Sequence, residues 1–210
     1  MAIRLILRGI LLFVLITVVS CKQFDSNSQV DEGKIVNNIY TSDEIGWAMK
    51  IPDGWDVIEK SQSNKRNEVG KDALEETLDG EIDFSQLRNL ISFEKDVFNN
   101  FHATSEPFKL EYQGEWEDNN KFLKGVIYTT YQNRGIPTDS SATTIETIDG
   151  LDFHTYSFTI YSKDGDTIMH QILYSCYVNG LDFGVNMNFN TKAHGDALLK
   201  AFRSSKFKKK

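Results

Sequence analysis

The sequence predicts an α+β domain built around a mainly antiparallel sheet, and three observations predict it. Asp149-Gly150, Asp164-Gly165 and Asn179-Gly180 are pairs that two-residue hairpins favour, because both central positions need positive φ. Between and around them, residues 143–190 alternate apolar and polar side chains, the period of half-buried strands. Stretches with helical spacing lie on either side of this region, and a one-sided sheet needs such elements to cover it.

Taken in order, the domain begins near Ile35. Residues 46–51 (GWAMKI) alternate as a strand, Pro52-Asp53-Gly54 turns the chain, and Trp55 to Ile58 opens a second strand. Val69, Ala73, Leu74 and Leu78 fall at helical spacing over residues 67–78, with Gly80 as the expected stop. Residues 90–93 (LISF) read as a strand. Trp116, Leu123, Val126, Ile127 and Tyr131 share one side of a helix over residues 115–133, ended by Gly135 and Pro137. The four-stranded meander follows. Thr191 then caps a last amphipathic helix carrying Ala197, Leu198, Ala201 and Phe202.

The turns also set the register. Two-residue loops place Ile148 opposite Leu151, Lys163 opposite Asp166 and Val178 opposite Leu181. Phe153, Tyr174, Cys176, Phe183, Val185 and Met187 then share one apolar face, which helices would cover most economically. The opposite face is mixed: Tyr156, Phe158 and Leu173 stand beside His154, Ser175, Asp182, Asn186 and Asn188. Turn chemistry and face chemistry agree on this layout.

The first twenty-one residues carry an address. Arg4 and Arg8 precede an apolar run over residues 10–19, and Val18-Val19-Ser20-Cys21 closes it. This is the pattern of a secretory signal peptide, residues 1–20. The run gives about 15 Å of helix, half the ~30 Å that a bilayer core requires, which argues against an uncleaved anchor. The ending resembles the lipobox of bacterial lipoproteins. That resemblance implies cleavage before Cys21, a diacylglyceryl group on its thiol, and an acyl chain such as palmitate on the new amine. Each buried methylene contributes about 0.8 kcal/mol, so two or three chains hold a domain on a membrane durably. Residues 21–34 (CKQFDSNSQVDEGK) read as a flexible tether, and residues 35–210 as the globular domain. Lys22 follows the cysteine where an aspartate would suggest retention at the inner membrane, so the expected address is the outer membrane.

Composition excludes some partners. Without residues 1–20 the basic residues fall from 23 to 21 against 30 acidic, a formal charge of −9. A nucleic-acid partner is not expected, because phosphate neutralisation needs clustered Lys and Arg. The one basic concentration, Lys206, Lys208, Lys209 and Lys210, reads as the solvated end of the last helix. With Cys21 acylated, Cys176 is a lone thiol inside a strand and reads as a small buried side chain.

Three constellations were candidates for chemistry. His102, His154, His170 and His194 never fall at ligand spacing, so neither a metal site nor any cofactor is expected. Ser175 lies opposite His154 by register, with Asp152 and Asp182 one step along. Ser175 nevertheless sits mid-strand, without the sharp elbow or adjoining backbone donors of a nucleophile site. Thr147, Asp152, Tyr177 and Asp182 form a row at one sheet end, with the aspartates ~10 Å apart, too far to share an ion. His154, Ser175, Tyr177 and Asp182 therefore form a possible ligand patch, expected to be shallow or closed, and the catalytic residues are none.

Residues 45–55 (IGWAMKIPDGW) resemble the opening of PsbP-like domains: a glycine and aromatic, an alternating strand, then Pro-x-x-Trp. The later order of elements and the terminal Ser205-Lys206-Phe207 are similar too, so the resemblance spans residues 40–207. It implies an α/β/α sandwich around a twisted antiparallel sheet. Members include a photosystem II extrinsic subunit, a Ran-binding import factor and bacterial lipoproteins of unknown role, so it implies little about function. No binding or catalytic motif of the characterised branches is matched. The expected function is a membrane-anchored envelope lipoprotein that binds an envelope protein or a small ligand without catalysis. The alternative is an envelope hydrolase built on His154 and Ser175.

Overall fold

The computed structural model describes residues 24–208; the expected signal peptide, Cys21 and its lipid lie outside the described residues. In chain order these residues form β1 (Lys34–Val36), β2 (Ile39–Ser42), β3 (Trp47–Lys50), β4 (Asp56–Val57) and helix α1 (Lys60–Leu78). A hairpin of β5 (Arg88–Asp96) and β6 (Asn99–Pro107) leads to α2 (Glu115–Asn133). Strands β7 (Thr138–Ser140), β8 (Thr144–Ile148), β9 (Leu151–Tyr161), β10 (Thr167–Val178) and β11 (Leu181–Phe189) follow, then α3 (Lys192–Arg203) and β12 (Lys206–Phe207).

All strand pairs are antiparallel. The large sheet runs β4-β5-β6-β11-β10-β9-β7, with β8 also on β9, and the small one runs β1-β2-β3-β12. Helices α1 and α2 lie over one face of the large sheet. The apolar face expected from the register is covered by α3 together with the small sheet, where helices alone were expected. Leu198 and Phe202 of α3 are fully buried against it, as are Phe101, Phe153 and Phe183. Trp47 of the small sheet reaches into the same core: its indole lies 5.1 Å from the Phe183 ring and donates to Ser205 Oγ at 2.9 Å. This is the α/β/α arrangement, its third layer shared by a helix and a sheet.

The meander stands in the expected register. Asp149 and Asn179 take positive φ (47° and 54°), followed by Gly150 and Gly180, and Ile148↔Leu151 and Val178↔Leu181 pair across the turns. The middle hairpin differs. Its loop spans five residues, because Tyr161 pairs with Thr167 rather than Lys163 with Asp166. A bulge between Thr167 and Met169 then restores the expected pairing, so Ser175 does face His154. Thr191 caps α3 as read, accepting from the His194 N–H.

The structure departs from the sequence reading in several places, among them the short strands β1, β2 and β7, for which the sequence reading has no element. Helix α1 begins at Lys60, ahead of the apolar spacing, because its first turns (KSQSNKR) carry no apolar residue to announce them. It stops on Asp79 in the left-handed region, φ 51°, rather than on Gly80. Strand β6 was not foreseen, since among its alternate residues only Phe101 and Ala103 are apolar. The basic end is not a solvated helix terminus: Lys206 and Phe207 form β12 beside β3, and Phe207 buries its ring. Residues 25–33, within the expected tether, lie against the domain. Asn27 bonds the Ile35 backbone in both directions, and Asp31 pairs with Lys60 and accepts from the Asn89 N–H at 2.8 Å.

A candidate ligand cleft

Strand alternation decides what α1 and α2 look down on. On β11 the odd residues Phe183, Val185 and Met187 enter the core, so Asp182, Gly184, Asn186 and Asn188 face the helices. On β6 the same rule turns Asn100, His102, Thr104 and Glu106 that way. The pairing arranges these side chains in rows. Glu106 stands opposite Asp182; Thr104, Gly184, Ser175 and His154 follow across four strands; then come Ser92, His102, Asn186 and Leu173. The second row is the shallow one, since Gly184 has no side chain and Ser175 and Thr104 have short ones.

Above the shallow row the helices do not reach the floor. Helices α1 and α2 meet through a Thr77–Thr130 hydroxyl pair at 2.8 Å and an Arg134–Glu76 ion pair at 3.0 Å. Between them and the sheet a cleft of 660 Å³ remains, with Leu74, Leu123 and Ile127 among its apolar walls. This overturns the expectation of a shallow or closed surface: the short residues do leave a hollow, and the helices bridge it rather than fill it. The weak amphipathicity of α1 has the same origin, since much of its inner side faces the cleft instead of packed apolar residues.

The electrostatics differ along the floor. Burial pushes the Asp182 carboxyl above the usual carboxylate range, partly offset by the Trp116 Nε1–H donated to it at 2.9 Å. Burial also raises Glu106, and the nearby acids Asp182 and Asp83 add to the effect. Among the described residues neither Glu106 nor Asp182 has an ion-pair partner. Further along, His102 Nδ1 bonds Ser92 Oγ, while its Nε2 is sealed from solvent without a partner. Burial, with the Arg66 charge nearby, lowers that imidazole to about 4, so it is neutral at ordinary pH. Arg66 is itself held by Glu94 at 2.5 Å. Asn188 donates to Asn100 at 3.0 Å, but its own carbonyl oxygen is also sealed and unpartnered.

The four patch residues separate. Ser175 and Asp182 line the cleft. His154 lies outside it, its ring meeting the Trp116 indole edge-on at 5.0 Å. Tyr177 lies outside as well, against Phe108 at 6.2 Å. Ser175 and His154 share a strand pairing but no hydrogen bond, and the Asp182 carboxylate is engaged by Trp116 rather than by the imidazole. A serine without a base and a histidine without an orienting acid do not form a relay. Among the described residues no group of three or more His, Cys, Asp or Glu is arranged to hold a metal ion. Glu106 and His102 are the floor residues that sequence reasoning missed. The missing signal was β6 itself, whose pattern NNFHATSEP reads as polar loop.

The solution structure of cyanobacterial PsbP (CyanoP) from Synechocystis sp. PCC 6803 is similar to this chain at a TM-score of 0.50 and 10% identity, covering 81% of this chain and 91% of that one. The chain therefore has a PsbP-like fold. At that identity the likeness concerns the fold alone. No protein-family model matches the sequence, and no curated protein matches it.

Proposed function

We propose that this chain is a non-catalytic binding protein of the bacterial cell envelope, anchored through acylated Cys21, that takes a small ligand into the cleft beneath α1 and α2. The observation that carries the reading is the cleft: its 660 Å³ falls in the range of small-molecule sites, about 300–1,000 Å³, and it joins apolar walls to a few fixed polar groups. The unconnected Ser175 and His154 favour binding over hydrolysis. The lipobox-like ending at Cys21 supports attachment to a membrane, and Lys22 supports the outer one. Among the described residues no helix is long and apolar enough to cross a bilayer.

The test is mass spectrometry on protein extracted from its own membranes under mild conditions, as wild type and as Gly184→Leu. A Cβ at Gly184 would meet only Thr104 Oγ1, at 3.6 Å, so leucine there fills the hollow without a backbone clash. The wild-type chain should begin at Cys21 with acyl mass, and should release a small molecule that the variant lacks. An intact Met1 start would overturn the anchor. Identical small-molecule profiles from both proteins would overturn the cleft.

A further inference from the structure

Resting on that reading of the cleft, we propose that its ligand is an organic ammonium compound: one cationic amine seated between Glu106 and Asp182, carried on an apolar body that lies along the floor toward His102.

The acidic end points to the charge. Glu106 and Asp182 are direct cross-strand partners, a position in which like charges repel. Both line the cleft, both are substantially withdrawn from water, and neither has a cationic partner among the described residues. Asp182 has one neutral donor, the Trp116 indole, and Asp83 adds a third acid at the same end. A desolvated carboxylate pair without a counter-ion is costly, and a single ammonium between the two would offset both charges. The opposite choice, an anionic ligand, finds no free cation on the cleft among the described residues: the Arg66 guanidinium is taken by Glu94.

A second observation lies apart from the acids. His102 Nε2, four residues from Glu106 along β6, is sealed and unpartnered on the cleft floor, and Asn188 on the adjacent strand leaves its carbonyl oxygen in the same state. Buried polar atoms are ordinarily satisfied, so these two mark where a ligand's far end would supply hydrogen bonds. Four residues of strand span about 13 Å. Between the two polar ends lie the shallow row at Gly184 and Ser175 and the apolar walls at Leu74, Leu123 and Ile127, which offer an alkyl or aryl body its contact.

Calorimetric titration of the mature chain with octylamine, octanol and octanoate tests this, since the three share one body and differ in head charge. Octylamine should bind at least tenfold more tightly than octanol, and octanoate most weakly. Asp182→Asn keeps an acceptor for Trp116, and Glu106→Gln keeps the shape; each should weaken octylamine tenfold or more while leaving octanol unchanged. Gly184→Leu should weaken all three. Octanol equal to octylamine, or octanoate tighter, would overturn the ammonium while leaving a cleft ligand standing. Octylamine binding that survives both carboxylate substitutions, or no binding of octylamine, would overturn the proposal outright; the comparison of membrane-extracted wild type with Gly184→Leu judges the cleft separately.

Discussion

His102 shows how one side chain couples the cleft to stability. Its imidazole is neutral in the fold, held down to about 4 chiefly by burial, whereas in the unfolded chain it titrates near ~6.5. A group depressed in this way contributes stability that is full above the unfolded value and is lost as pH falls through about 6.5 toward 4. Glu106 and Asp182 act in the other sense, because their folded values are raised and protonation favours the fold as pH drops. Comparing wild type with His102→Gln isolates the ring. Between about pH 7 and pH 4 the difference in unfolding free energy should move against the wild type. Parallel pH curves would show that burial does not hold the ring neutral. Residues of this kind were the least legible in the sequence. Ser175 and His154 pair as the alternation suggests because the bulge at Thr167–Met169 offsets the longer middle loop, whereas nothing in the polar string around His102 announces a strand.

Elements were legible where turn chemistry and side-chain period reinforced each other. The Asn179-Gly180 hairpin, the cap at Thr191 and the span of α2 were all readable for that reason. Helix α1 was half readable, since the turns that overlie the cleft carry polar residues. The middle hairpin is instructive: its loop was longer than expected, and the bulge at Thr167–Met169 cancelled the shift, so the face assignment survived an incorrect turn. The terminal strand is illegible in the sequence because four lysines surround the one apolar residue, Phe207, that anchors it. The Asn179-Gly180 turn offers a direct check. Gly180 has φ 77° and open space around it, so a larger residue meets backbone strain and no steric clash. Gly180→Val should cost about 1 kcal/mol or more and lower the melting temperature by several degrees. An unchanged melting curve would mean that this turn does not define the β10–β11 register.

At the scale of the whole molecule the two faces of the large sheet divide the work. One is a dry aromatic core in which Trp47, Phe101, Phe153, Phe183 and Phe202 interlock. The other is mixed: Tyr156, Phe158 and Ile160 pack against α2, while a polar floor on β6 and β11 is bridged by two helices that touch each other and leave the cleft below. The strand Tyr174-Ser175-Cys176 presents one residue to each side in turn, which supplies the most direct measurement of the central claim. Cys176 is buried in the core, and burial, with Asp182 and Asp152 nearby, pushes its thiol up to about 12, so it should stay inert to a thiol reagent until the protein unfolds. Ser175→Cys, in a chain whose Cys21 is acylated or replaced, places a second thiol one residue away on the cleft floor. Labelling of the folded variant with a small maleimide should modify position 175 promptly and leave Cys176 untouched. Protection of the new thiol equal to that of Cys176 would mean that the helices close over Ser175, and the ligand-binding account would be wrong.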